Sequence, residues 1–291
     1  MTEIKSSADR VAVIGTGAVG GAVVRRLLAG GHDVVVWNRT ASRSAGLVDA
    51  GAVPAGSVRE AVSSAGLILL TLTDHAAVRQ VLAELDGDLS GRTIVAMSTG
   101  TGDDAWRAAQ RVEALGASYL GAGIQASPET IGTAAASILY SGSRTAFERH
   151  QATLGLLSTT RFVGDAPEAA AIWDLALFGL WYDAQLGLLR ALDTVREAGI
   201  DVGEFAGTAV EQLAHVVDGA SATASEVARA DYPAGPATLP EHLTVVRHLI
   251  GLRAGQGLGD GGLPAVAARI ETLIAEGRDH EGLTATTAVS A

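Results

Sequence analysis

VAVIGTGAVGGAVVRRLLAGG, residues 11–31, decides the fold. An apolar run of strand character, VAVIG, leads through Gly15-x-Gly17-x-x-Gly20 into an amphipathic helical segment. In that setting the first glycine permits a tight turn, the second lets backbone approach a pyrophosphate, and the third lets helix and strand pack closely. The free N–H groups and the positive dipole end of the helix then face the phosphates. Gly15, Thr16, Gly17, Ala18, Val19 and Gly20 are therefore the expected dinucleotide cradle. In a chain with 36 glycines the pattern alone is weak, and its strand–turn–helix position gives it weight.

Outward from this stretch, apolar runs alternate with helical segments such as DDAWRAAQRVEALG (103–116). VAVIG (11–15), DVVVWN (33–38), LILLTL (67–72), TIVAMST (93–99), SYLGAG (118–123) and SILYSGS (137–143) read as buried parallel strands. Such alternation predicts an α/β fold, a Rossmann-type doubly wound parallel sheet. After about residue 165 the strand signal stops, and Pro167 to Gly199 reads as one long helix with proline in its first turn and glycine at its close. The remainder reads as helix and loop, with the tail TATTAVSA expected to fray. The expected division is a cofactor domain at 1–165, an interdomain helix at 166–199, and an all-helical domain at 200–291.

The bulk composition excludes several classes. A net charge of −11 argues against nucleic-acid and anionic-membrane partners. No run of about 18 residues is free of charged and polar side chains, so no transmembrane helix is expected. The opening MTEIKSSADR lacks the apolar core of a secretion signal, which leaves the cytoplasm as the expected compartment. There is no cysteine, and the seven histidines lack metal-ligand spacing, so no metal site is expected.

The end of the second strand discriminates between dinucleotides. A carboxylate there would bond a ribose 2′-hydroxyl and repel a 2′-phosphate. Here the text is Asn38, Arg39, Thr40, with Arg43 one turn on, and a guanidinium grips a phosphate with two hydrogen bonds. This favours NADP(H), against the alternative of two solvated surface charges. Leu72 and Thr73, and the later Thr99, follow strands on the same sheet edge and are expected near the nicotinamide ribose.

The long helix carries IWDLALFGLWYDAQLGLL (172–189), an apolar run holding Asp174 and Asp183. At about 100° per residue, Asp174, Phe178, Trp181, Tyr182 and Gln185 share one stripe, and Asp183 faces the other way. An apolar wall with one carboxyl group and one phenol suits a hydrophobic amine or imine. The alternative is that Asp174 sits in the first two turns and bonds free backbone N–H groups there.

Together these residues resemble the NADPH-dependent imine reductases and reductive aminases over nearly the whole chain. The matching stretches are residues 15–40, GRTIVAMSTGT, GAGIQASPETIG, LYSGS, WDLALFGLWY and DYPAGPATLPEHL, with WNRT, LYSGS and DLAL in that order the most specific. The resemblance implies hydride transfer from NADPH to an imine or iminium. Asp174 would protonate or steady the nitrogen, and Tyr182 would face the substrate. It also implies a homodimer with interlocked C-terminal domains, in which the stretch around His242 reaches the partner's pocket. Ile124 and Leu239, in matching stretches, are expected on the substrate side with Phe178, Trp181 and Gln185. His215 and His242 stay open between pocket and ordinary structural or surface positions. The chain departs from the common pattern at Thr99, Gln125, Trp173, Glu241 and His242, which bears on substrate range.

Two rivals remain at this stage. A β-hydroxyacid dehydrogenase shares the plan but uses a lysine on the connecting helix, and the single lysine here is Lys5. A non-catalytic NADP-binding protein would leave an acid in an apolar pocket without a task.

Overall fold

Short, mostly apolar runs form the sheet of the N-terminal unit, as seen in a computed structural model that describes residues 10–289. The strands are β1 (Val11–Ile14), β2 (Val34–Trp37), β3 (Val53–Pro54), β4 (Leu67–Leu70), β5 (Thr93–Ala96), β6 (Ser118–Gln125), β7 (Ser137–Gly142) and β8 (Thr159–Gly164). The helices are α1 (Ala18–Ala29), α2 (Ala45–Val48), α3 (Val58–Ser63), α4 (His75–Ala83), α5 (Gly102–Ala114), α6 (Arg144–Gly155), α7 (Ala169–Glu197), α8 (Val202–Arg229), α9 (Leu239–Leu252) and α10 (Leu263–Ala275). The chain divides into two compact units between Gly179 and Leu180, inside α7.

In the first unit the sheet order is β3-β2-β1-β4-β5-β6-β7-β8. The first six strands are parallel and follow the doubly wound order, with the switch point between β1 and β4. β1 and β4 are buried throughout, because helices cover both faces of the sheet.

One expectation is corrected here. β7 runs antiparallel to β6, from Leu120↔Gly142 to Gln125↔Ser137. The link at 126–136 is too short for the crossover helix that a parallel return requires. β3 and β8 were not foreseen. β3 has two residues, and β8 alternates exposed with half-buried positions instead of forming an apolar run.

The second unit packs α9 against α10 around Leu239, Leu243, Val246, Ile270 and Leu273. Through residue 289, the last described, its tail is not frayed. Leu283–Thr287 form a 3₁₀ turn with Ala285 fully buried, and the Arg269 guanidinium donates to the carbonyls of Thr286 and Ala288. Small side chains let that turn sit close, which a reading of composition alone overlooked.

Candidate active site

Gly15 ends β1 with φ +99°, a conformation that glycine alone adopts without strain. A methyl group on it would lie 2.5 Å from the Thr71 carbonyl, so β1 and β4 could not approach as they do. Gly20 is packed as closely, against the Gly15 carbonyl and Thr71, whereas a methyl on Gly17 would meet nothing within 4 Å. The loop is thus closed beneath by Gly15 and Gly20 and open above Gly17. α1 begins there with no side-chain cap, leaving its first amides for an anion.

The crevice above this loop is lined by Gly15, Gly17, Asn38, Arg39, Thr40, Arg43, Leu72 and Thr73, all expected from the sequence. Thr71, Gln80 and Glu84 line it too and were not foreseen. Asn38 acts mainly as a latch. Its Oδ1 accepts the Thr16 N–H at 3.1 Å, and its Nδ2 donates to the Thr40 carbonyl at 2.9 Å. An aspartate there would lack the second donor. Thr16 is buried, with its hydroxyl 3.2 Å from that of Ser44, and Val19 packs on the core. Ala18 is exposed at the start of α1. Arg39 and Arg43 are exposed on the crevice wall, and neither forms an ion pair within the described residues. A floor of glycine, free helix amides and two uncommitted guanidinium groups fit a dinucleotide with a 2′-phosphate.

The second group centres on Asp174, 2 % exposed. Its burial comes from β6, not from the aromatic stripe. A methyl on Gly123 would lie 2.7 Å from Asp174 Cβ and 3.0 Å from the Ala170 carbonyl, so the start of α7 lies directly on the strand. The carboxyl group does not cap its own helix. Oδ1 accepts from Gln125 Nε2 at 2.7 Å, and the Thr99 side chain forms a second hydrogen bond. Burial pushes the Asp174 carboxyl above its ordinary range, and these two bonds partly offset the rise.

Ser141 holds the helix in place. Its hydroxyl donates to the Pro167 carbonyl at 3.0 Å and accepts the Ala170 N–H at 2.9 Å, capping α7 from a neighbouring strand. The loops after β4 and β5 are tied together in the same unit. Ser98 donates to the Leu72 carbonyl at 3.0 Å, and the buried His75 ring meets the Ser98 carbonyl at 3.2 Å. Burial pushes the His75 pKa down, so its ring stays neutral at neutral pH.

The expected substrate residues fall in different surroundings within their own units. Ile124 packs on the core with Leu120 and Ala122, on the sheet face opposite Gly123 and Gln125. Leu239 is fully buried in the core of the second unit. Phe178 is half-buried, while Trp181, Tyr182, Gln185 and His215 are exposed and His242 is half-buried. Trp181 and Tyr182 rings meet edge-on at 5.0 Å. Glu241 accepts the Thr238 N–H and hydroxyl at 2.7 and 2.8 Å, so its charge caps α9. Lys5 lies outside the described residues, and α7 carries no lysine. Gln125 and Ser141 went unassigned, although the alternation of β6 places Gln125 two residues from Gly123 on the α7-facing side.

Residues 10–164 match the NAD-binding domain of 6-phosphogluconate dehydrogenase, and residues 166–291 match the C-terminal domain of NADPH-dependent reductive aminase-like proteins. An NADPH-dependent reductive aminase of Aspergillus oryzae is 30% identical over 280 residues, 94% of this chain and 95% of that protein. The chain belongs to the reductive aminase and imine reductase family. A structure of a family member from Aspergillus terreus, a reductive aminase in complex with NADPH and ethyl-5-oxohexanoate, superposes with a TM-score of 0.84. It shares 31% identity and covers 96% of this chain and 98% of its own. An imine reductase from Bacillus cereus superposes at a TM-score of 0.88 with 27% identity, covering 95% and 97% of the two chains.

Proposed function

We propose that this chain reduces C=N bonds with NADPH, with Asp174 as the acid that protonates the imine nitrogen or stays as counter-ion to an iminium. One observation carries the reading: a carboxyl group buried to 2 % exposure, with its proton affinity raised and no charged partner among the described residues. NADPH, when bound, supplies the hydride that reduces the imine carbon. Gly15 to Gly20 would hold its pyrophosphate, with Arg39, Thr40 and Arg43 on the 2′-phosphate and Leu72, Thr73 and Thr99 at the nicotinamide ribose.

A neutral imine accepts hydride poorly and an iminium accepts it well, so proton delivery is the step left to the protein. Asp174 holds a proton closer to neutral pH than an ordinary carboxyl does, because burial disfavours its anion. Once ionised, it balances the cationic nitrogen in surroundings where charge is weakly screened. Tyr182 is proposed to orient the substrate or share the proton, with Phe178, Trp181 and Gln185 beside it.

The working unit in this reading is a homodimer with interlocked C-terminal domains. α8 has 28 residues and none is buried; Val216 and Val217 are 69% and 72% exposed. So much apolar surface is covered in a stable protein, and a second copy is the fitting cover. Residues 1–165 then carry the cofactor, the helix at 166–199 the acid, and residues 200–291 the second copy's contribution around His242. No helix among the described residues is long and apolar enough to cross a membrane. The cytoplasm is the proposed compartment.

The test follows NADPH absorbance in three mixtures: with a cyclic imine, with no substrate, and in the oxidative direction with NADP⁺ and a β-hydroxyacid. Imine-dependent oxidation of NADPH is expected. Clear NADPH binding with no turnover of any imine would overturn the reading.

A further inference from the structure

The contact between Asp174 and Gln125 has a chemical property that a hydrophobic neighbour lacks. A carboxylate only accepts hydrogen bonds, whereas a carboxylic acid must also donate one. An acid that cycles between the two forms in a buried site therefore needs partners able to change role, or one form is left unsatisfied. Gln125 is such a partner. Its Nε2 donates to Asp174 Oδ1 at 2.7 Å, and rotation of the amide by half a turn presents Oε1 as an acceptor. The Thr99 hydroxyl, the second partner, can likewise donate or accept.

We infer that Gln125 is a positioning residue for the proton-transfer step, holding the Asp174 carboxyl group at one place on β6 in both of its protonation states. The inference rests on the reading of Asp174 as the acid. It distinguishes this chain from a protein with methionine or another apolar residue at 125, which would bury the carboxyl group equally but bond neither form.

The neighbouring elements leave few other influences on this carboxyl group. β6 and β7 carry two titratable side chains, Tyr119 and Tyr140, and burial raises both phenols so that they stay neutral. The 98–101 loop carries no titratable side chain. Burial and the bonds from Gln125 on β6 and Thr99 after β5 are the causes of the Asp174 shift. The Glu168 carboxyl just before α7, with one oxygen buried, and the neutral His75 ring against Gly100 are titratable but are not among them. After burial, the Gln125 bond is the next largest influence on the Asp174 carboxyl group.

The test compares wild type with Gln125→Met and Gln125→Glu. Methionine removes the donor, and glutamate keeps the shape but places a second carboxyl group against the first. Both changes disfavour the Asp174 anion, so the alkaline limb of kcat for a cyclic imine moves to higher pH. The expected move is about one unit for Gln125→Met and more for Gln125→Glu. A packing defect alone would not move the limb in the isosteric glutamate variant. Carbon-13 NMR of aspartate-labelled protein reads the same titration without turnover, with Asp174→Asn identifying the resonance. A titration that moves by less than about 0.3 units in both variants overturns the role of Gln125. A titration that moves while the kcat profile stays fixed supports that role and overturns Asp174 as the acid.

Discussion

Gly123→Ala tests whether contact between β6 and α7 positions the acid. The added methyl would lie 2.7 Å from Asp174 Cβ and 3.0 Å from both the Ala170 carbonyl and Asp174 Oδ1. Ordinary carbon–carbon contact is roughly 3.5–4.0 Å, so the start of α7 has to retreat by about 1 Å. The obstacle is helix backbone and a Cβ, neither of which can swing aside, and Ser141 ties the same turn to β7. Overpacking of this kind costs about 1–3 kcal/mol, which for a domain of this size lowers Tm by roughly 2–10 °C. A displacement of about 1 Å at a reacting group costs on the order of a hundredfold in rate. The assay measures Tm, NADPH Kd and kcat/KM on a cyclic imine. The expected result is a lower Tm, a strongly reduced kcat/KM and an unchanged Kd, because Gly15, Arg39 and Arg43 lie on β1 and the loop after β2. Gly155→Ala, where a methyl meets nothing within 4 Å, serves as control and leaves all three near wild type. A Gly123→Ala protein with wild-type Tm and kcat/KM would refute the claim that the strand fixes the acid.

Other outcomes follow from the same geometry. Arg39→Ala and Arg43→Ala should each weaken NADPH binding by roughly tenfold and leave NADH binding nearly unchanged, since each removes a charge-assisted contact to the 2′-phosphate; isothermal titration with both dinucleotides checks this. The His150 pKa is lowered to about 4 by burial and by Arg149. Between the unfolded value of roughly 6.5 and about 4, the unfolded chain binds a proton that the native chain does not, so stability falls as pH falls through that window. A His150→Gln variant should show a shallower loss in denaturant titrations at pH 7 and pH 4.5, and equal losses would contradict it.

How much of this was legible in the sequence varies with the physics behind each feature. The glycine turn was readable because Gly15 and Gly20 act locally, within one strand–turn–helix, and Asn38 and Arg39 stand at the next strand's end. The direction of β7 was not, because an apolar run says nothing about which way it runs; the short link at 126–136 carried that information. Helical periodicity grouped Asp174 with Phe178, Trp181 and Tyr182 as a stripe. It could not say that β6 would bury the acid while Trp181 and Tyr182 stay exposed within the chain. Leu239 looked like a pocket residue and proved to be core, because membership of a matching stretch does not separate packing from lining. Gln125 stood out only as a departure from a pattern, and its role emerged once strand alternation and the Gly123 contact put it beside Asp174.

The most direct measurement is the single-turnover rate of NADPH oxidation by a cyclic imine in Asp174→Asn, alongside NADPH Kd. Asparagine keeps the shape of the side chain and its ability to bond Gln125 and Thr99 but has no proton to give and no negative charge to leave behind. The rate should fall by roughly 10²–10⁴, the usual span for loss of a general acid, with Kd close to wild type. A variant that turns over the imine at the wild-type rate would contradict the assignment of Asp174.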